Sequence, residues 1–487
     1  MSSILKFINF NFIAKVVGAM CLIECIFIAI CIVFSLAYGE SDFTPFLYTF
    51  FAFALVGVIL TYVGRHNSSL QPGKREAMLG VTLTWLTLST IGMCPFIIGG
   101  YTGGMRAFFE TISGFTTTGF TVFSDVESLP HGILLWRSIT QWQGGIGIVV
   151  FTIALLPILG SGAGLLYDAE TTGVEHERFL PRITSAALRL WLVYLVLTII
   201  LILLLCLGGM DWFESICHAF SGISTGGFST RNGSIGVFDS FYIEVVLCVF
   251  MFIASLDFTV LYFASVGKMK RLFKDEQFRW FLGITIFFTV VTAFWLFHIG
   301  VYSDLSESFR RAVFQVFSFI STTGYITADV NLWMSFFWFC ALFICLICGC
   351  AGSTSGGIKV SRFIILIKNL RSEFKRRTRT SIVTSVKLDG VALRKELVAQ
   401  VLAFFFLYLV LIVLGAALLT LSGNDFVTAI ATSVAAIGNV GACFGGYSSG
   451  FEYASTWDLS IVSFLMLAGR LEVFTVVSLF SAAFWKR

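Results

Sequence analysis

Ten segments of this chain are apolar over enough residues to cross a lipid bilayer: about 12–38, 44–64, 77–99, 131–159, 183–207, 240–266, 280–301, 332–366, 397–421 and 456–484. A spanning helix needs about 20 mostly apolar residues, and within the hydrocarbon layer its backbone polar groups must be satisfied inside the protein. The chain is therefore expected to be an all-α polytopic membrane protein. Composition agrees, with 57% of the 487 residues hydrophobic and 12% charged, against about 25% charged in soluble domains. Residues 1–11 are only weakly basic, and the apolar run after them is too long for a leader, so no cleaved signal peptide is expected.

The cations set the direction of insertion, because cytoplasmic loops are enriched in lysine and arginine. With both termini in the cytoplasm, 25 of the 32 lysines and arginines fall inside and four outside (Arg106, Arg231, Arg310 and Arg311). Arg137, Arg189 and Arg470 lie within spans. The reverse orientation would invert this asymmetry.

Four extracellular stretches are neither spans nor ordinary loops: 103–115, 211–223, 306–320 and 424–437. Each is too short to cross and is followed by small polar residues, "SGFTTTGFT", "SGISTGGFS", "SFISTTGYI" and "AAIGNVGACFGG". A half-length helix followed by coil reads as a re-entrant element, which must line a protein-walled cavity. Aligned on Gly119, Gly227, Gly324 and Gly441, the phrases are 108, 97 and 117 residues apart. Glu110, His218, Gln315 and Thr432 stand nine residues before the glycines, and Thr117, Thr225, Thr322 and Asn439 two before. This is one unit, span–half-helix–polar strand–span, written four times.

The phrase has a physical use. A cation crossing lipid must exchange its water shell for fixed oxygens, as in carbonyl-lined filters. Glycine permits the backbone angles this requires, and the negative ends of the half-helix dipoles favour a cation. The competing reading is small-residue helix packing, which does not require a half-helix before each glycine.

These residues give the chain a resemblance to the TrkH/KtrB superfamily of potassium-translocating subunits, covering roughly 75–487. The two extra N-terminal spans make it more similar to the TrkH branch. The resemblance implies four span–pore-helix–span repeats around a pseudo-fourfold pore, in a homodimer in the bacterial inner membrane, with a cytoplasmic TrkA-type regulatory ring of nucleotide-binding RCK domains. The expected organisation is 1–70 for the two extra helices, then repeats at 71–165, 166–278, 279–385 and 386–487. Residues implied to meet the transported K⁺ are Thr117, Thr118, Gly119, Thr225, Gly226, Gly227, Thr322, Thr323, Gly324, Asn439, Val440 and Gly441. The fourth set is the most divergent, with Asn and Val in place of Thr.

Arg470, in "MLAGRLEVF", is read as lying near the middle of the last span, where a charge is costly and by default functional. The resemblance implies that it projects into the pore beneath the filter; the alternative is a buried pair with Glu472 or Asp257. The stretch "GCAGSTSGG" contains Gly349, Gly352, Ser353, Thr354, Ser355, Gly356 and Gly357, with Lys359 just beyond. It cannot hold a rigid apolar helix, and it fails the phosphate-loop pattern because Ile358 intervenes and Val360 follows the lysine. It is the one irregular stretch the sequence places at membrane depth on the cytoplasmic side. The resemblance implies a loop that gates the pore; the alternative is a helix kink.

Gly144, Gly145 and Gly147 in "QGGIGIV" read as close helix packing. Asp257 is an acid where relatives are expected to carry an Asn-like residue, either a proton site or a partner of Arg470. The basic run 368–395 suits anionic lipid, the regulatory ring or a solvated loop. Most of the twelve cysteines sit in apolar runs and read as packing.

A membrane enzyme would need a nucleophile or metal constellation on facing helices, and the sequence offers none. A carrier built from inverted halves conflicts with four half-helices entering from one side. No nucleic-acid role is expected. The same scaffold also suits an H⁺- or Na⁺-coupled symporter or a less selective monovalent cation channel.

Overall fold

The computed structural model describes residues 8–65, 73–147, 183–379 and 384–485. The second half of the expected span 131–159, the repeat boundaries near 70 and 165, and Lys6, Arg178, Arg182, Lys486 and Arg487 lie outside them.

The chain opens with a pair of long helices, α1 (Phe10–Tyr38) and α2 (Phe43–Val63), followed by α3 (Lys74–Gly92) and the short α4 (Cys94–Ile98). Then come α5 (Gly104–Phe115), α6 (His131–Ile146), α7 (Ile183–Leu207), α8 (Trp212–Ile223), α9 (Phe241–Ala254) and α10 (Phe258–Ser265). They are followed by α11 (Met269–Lys274), α12 (Glu276–His298), α13 (Leu305–Ile320), α14 (Met334–Ile347) and α15 (Val360–Thr378). A two-residue hairpin, β1 (Lys387–Leu388) with β2 (Val391–Ala392), leads to α16 (Lys395–Thr420), α17 (Phe426–Gly438), α18 (Thr456–Arg470), α19 (Val473–Ser478) and α20 (Ala482–Trp485). Helix α1 packs against α2, α3 and α6.

Seven helical stretches among the described residues are long and apolar enough to span a membrane. The bent pair α9–α10 would be an eighth. Leu207, Phe339, Phe406 and Leu421 are exposed on such helices or at their ends, as a lipid-facing surface requires. The four half-length segments are the helices α5, α8, α13 and α17. At about 1.5 Å per residue, their 12 to 16 residues are too short to cross.

The structure breaks three expected spans, the second of them at the Gly/Ser stretch expected to interrupt it. Segment 240–266 is not one helix: α9 and α10 meet at 108°. Asp257 starts the new helix, its carboxylate accepting from the Thr259 amide at 2.7 Å. Segment 332–366 stops at Ile347 and resumes at Val360, with Cys348 and Lys359 at positive φ on either side of the gap, and α15 then runs on to Thr378. Segment 456–484 ends its first helix at Arg470, and Glu472 at φ 60° opens α19. A hydropathy window averages over these breaks, because the charged residues at them, Asp257, Lys359, Arg470 and Glu472, are isolated within apolar runs.

The breaks satisfy one another, as irregular backbone at this depth must. The carbonyls freed at the end of α9 accept from the 349–357 loop: Ser255 O from the Cys350 amide at 2.8 Å, and Ala254 O from the Thr354 amide at 3.3 Å. In return, the Phe258 amide donates to Gly352 O at 3.1 Å. Stretch 349–357 is therefore not the one irregular segment on that side.

Candidate functional site

Each short helix ends in the same way. The amide one residue before the aligned glycine turns back to a carbonyl five residues earlier: Thr118 to Ser113 O at 2.9 Å, Gly226 to Ser221 O at 2.8 Å, Thr323 to Ser318 O at 3.0 Å and Val440 to Ala435 O at 2.8 Å. This closure requires a left-handed residue two before the glycine, usually Gly or Asn. Here it is Thr117 (φ 53°), Thr225 (φ 56°), Thr322 (φ 65°) and Asn439 (φ 53°). For a β-branched residue that conformation is an outlier, and strain of this kind persists where the surroundings enforce it, commonly at functional sites. The Asn of the fourth phrase is thus the residue best suited to its backbone.

Gly119, Gly227 and Gly324 then take φ of 88°, 80° and 80°. Gly441 is outside the positive-φ region, so the fourth segment departs from the others at its glycine rather than at Asn439 or Val440.

The four segments close a ring. A Cβ on Gly119 would run into Gly226 O, and one on Gly227 into Thr323 O. One on Gly324 would lie 2.6 Å from the Gly441 Cα, and one on Gly441 2.5 Å from Thr118 O. The order 1–2–3–4–1 leaves each glycine against its neighbour's backbone, an approach only a missing side chain allows. The helix C-termini, carrying partial negative charge, all lie at this ring.

The polar residues nine before each glycine hold the chain leaving the ring. Glu110 accepts from the Val122 amide at 2.9 Å, His218 Nε2 meets Ser229 Oγ at 3.0 Å, and Gln315 accepts from the Thr327 amide at 3.1 Å. The fourth is the exception: Thr432 is buried and, among the described residues, holds no such hydrogen bond. Glu110 is also paired with Arg137 at 2.8 Å, both buried. Arg137 donates to Ser229 O at 3.2 Å and lies over the Phe228 ring, joining segments 1 and 2.

Below the ring sits the loop. The Thr354 hydroxyl donates to Ile223 O at 3.2 Å, at the end of α8, and lies 3.4 Å from Thr225 Oγ1. The Gly356 amide donates to Thr322 Oγ1 at 3.0 Å, and a Cβ on Gly356 would strike Gly438 O. The loop thus touches segments 2, 3 and 4. Two cations hold it: Arg470 Nη1 donates to Thr354 O at 2.7 Å, and buried Lys359 donates to Ser355 O. Arg470 also donates to Gly144 O, and to Gly145 O at 3.0 Å. Arg470 therefore lies at a helix end rather than mid-helix, and Glu472 is paired with Arg362 at 2.7 Å. Asp257 borders the loop, since a Cβ on Gly352 would come within 2.8 Å of its carboxylate. At the start of α12, the Ala351 amide donates to Gln277 Oε1 at 3.1 Å. Nearby Asp275 is raised to about 6, first by burial and further by Asp389 and Asp257.

Sequence reasoning missed Gln141. Its Nε2 donates to Gly226 O at 2.8 Å and its Oε1 accepts from the Phe228 amide at 3.0 Å, bracing segment 2 from behind. A glutamine deep in an apolar span was the available signal. Gly144 and Gly145 do serve close packing: a Cβ on Gly144 would strike Phe115 O, and one on Gly145 would lie 2.6 Å from Ser224 Cβ.

A family model described as TrkH, cation transport protein, matches residues 44–487. The chain is 35% identical over 482 residues to the Trk system potassium uptake protein TrkH of Escherichia coli, covering 98% of this chain and 100% of that one. It is 31% identical over 487 residues to the Trk system potassium uptake protein TrkI of Halomonas elongata, covering 98% and 97%. The crystal structure of the potassium transporter TrkH from Vibrio parahaemolyticus superposes with a TM-score of 0.88 at 33% identity, covering 98% of this chain and 100% of that one.

Proposed function

Because the chain belongs to the TrkH family of cation transport proteins, we propose that it takes up K⁺ across the bacterial inner membrane by conduction through the ring formed by 117–119, 225–227, 322–324 and 439–441. The observation that carries this reading is the closed order of glycine-to-backbone contacts among the four segments. Four backbones converging on one axis supply several oxygens per layer, which is what a dehydrated cation needs. The helix C-termini add a negative field, and the braces from Glu110, His218, Gln315 and Gln141 keep the oxygens from collapsing inward.

In the same reading, 349–357 is the gate, with Arg470 and Lys359 as its two tethers. Retracting the loop takes Thr354 O away from Arg470 Nη1, so the closed state is favoured until something binds the open state more tightly. Helix α15 joins the loop to a basic surface ending in Lys375, Arg376 and Arg377, where a TrkA-type RCK ring would pull. The homodimer, cytoplasmic termini and four repeats at 71–165, 166–278, 279–385 and 386–487 complete the proposal.

The test is electrical recording from the purified protein in liposomes, with the loop shortened within 352–357 as the open control. Unitary K⁺ and Rb⁺ currents exceeding those of Na⁺ are expected. Flux that needs an imposed H⁺ or Na⁺ gradient and shows no unitary steps would overturn conduction in favour of coupled transport.

A further inference from the structure

Helices α1 and α2 stand outside the four repeats, yet α1 carries a carboxyl in its middle: Glu24 is 1% exposed. A buried acid in a spanning helix is costly and calls for a reason. Its partner is on α6, where Gln143 Nε2 donates to Glu24 Oε2 at 3.0 Å.

The last turn of α6 is a junction. Gln141 holds segment 2 of the ring. Trp142 O accepts from the Tyr194 hydroxyl of α7 at 2.8 Å. Gln143 holds Glu24 of α1. Gly144 O and Gly145 O accept from Arg470, whose other arm holds the loop at Thr354 O. Five consecutive residues thus face four different elements, and two of them are glycines whose place is set by their neighbours. A helix end of this kind keeps its carbonyls aimed only while the adjoining side chains are anchored.

We propose that Glu24 is a positioning residue for Arg470: by fixing Gln143 it holds the Gly144 and Gly145 carbonyls where they share the guanidinium with Thr354, so that α1 forms part of the frame of the gate. This rests on reading Arg470 as a tether of the gate. It gives the first N-terminal helix a function in conduction rather than in bilayer anchoring alone.

The experiment is K⁺ flux per protein in liposomes for the full chain and for Glu24→Leu, Glu24→Gln, Arg470→Ala and the double variant Glu24→Leu/Arg470→Ala. Glu24→Leu should raise flux severalfold and Glu24→Gln, which keeps an acceptor for Gln143, should restore the parent rate. In the double variant, flux should equal that of Arg470→Ala, because Glu24 acts through the arginine. An increase in Arg470→Ala with none in Glu24→Leu overturns the proposal and leaves the gate reading standing, as does an equal further increase from Glu24→Leu in the Arg470→Ala background. No change in Arg470→Ala overturns both. Should Glu24→Leu not insert, Gln143→Leu breaks the same contact from α6 and is read in the same way.

Discussion

Arg470 and Thr354 are joined beneath the ring: the guanidinium Nη1 lies 2.7 Å from the loop carbonyl, although 116 residues separate them. The side chain reaches the loop because α18 ends at Arg470, freeing its final turn to face the axis. One contact therefore does two things. In the proposed reading it places a positive charge in the path of a cation and ties down the segment that closes the path.

Arg470→Ala removes both effects, and K⁺ flux per protein is expected to rise. Radiotracer uptake into liposomes, normalised to inserted protein, measures it. A fall at normal insertion would mean that the arginine supports the fold rather than closing the pore.

Gly119→Ala adds a methyl that meets Gly226 O at φ 88°. Segments 1 and 2 must separate, so discrimination of K⁺ from Na⁺ should fall. Gly441→Ala faces a similar approach to Thr118 O without the positive-φ penalty, and its loss should be smaller. Reversal potentials under paired K⁺ and Na⁺ gradients rank the two variants; equal ratios in Gly119→Ala and the parent would remove Gly119 from the filter.

These two sites differ in how far sequence alone reveals them. The four short helices were legible to within two residues, because half-length apolar stretches ending in small polar residues have few other uses in a membrane. The left-handed Thr117, Thr225 and Thr322 were not, since threonine is a poor residue for that conformation and only the surrounding ring enforces it. Hydropathy likewise ran straight through the turns at Ser255–Asp257 and at Glu472; the amides that satisfy the first and the arginine that pairs with the side chain of the second lie about a hundred residues away. Arg470 could be singled out as costly, but the helix end that frees it could not. Gln141 and Glu24 showed only as polar residues at depth, with nothing local to pair them.

The Glu110–Arg137 pair is almost fully buried. Arg137→Met leaves the carboxylate without its partner, a change that costs about 3–5 kcal/mol in protein interiors. The variant should melt well below the parent in detergent, and Glu110→Gln/Arg137→Met should recover part of the loss. A single variant as stable as the parent would show that the pair contributes nothing net.

Asp275 gives a pH signature at the start of α12. Burial first, then Asp389 and Asp257, raise its carboxyl from 3.8 to about 6. A raised carboxyl favours the fold in its protonated form. That contribution is complete below the unfolded value and lost as pH rises through about 6. Asp275→Asn keeps a residue able to cap α12, so its stability relative to the parent should rise from about pH 4 and level off just above pH 6. Thermal melts across that range report the difference; a constant offset would place Asp275 in solvent.

The central claim is that the four segments bind the transported ion between them. Crystals grown in Rb⁺ and measured at the rubidium absorption edge test it most directly. The account predicts an anomalous peak on the axis enclosed by 117–119, 225–227, 322–324 and 439–441. A conducting protein whose Rb⁺ peaks lie elsewhere, with none inside that ring, would contradict it.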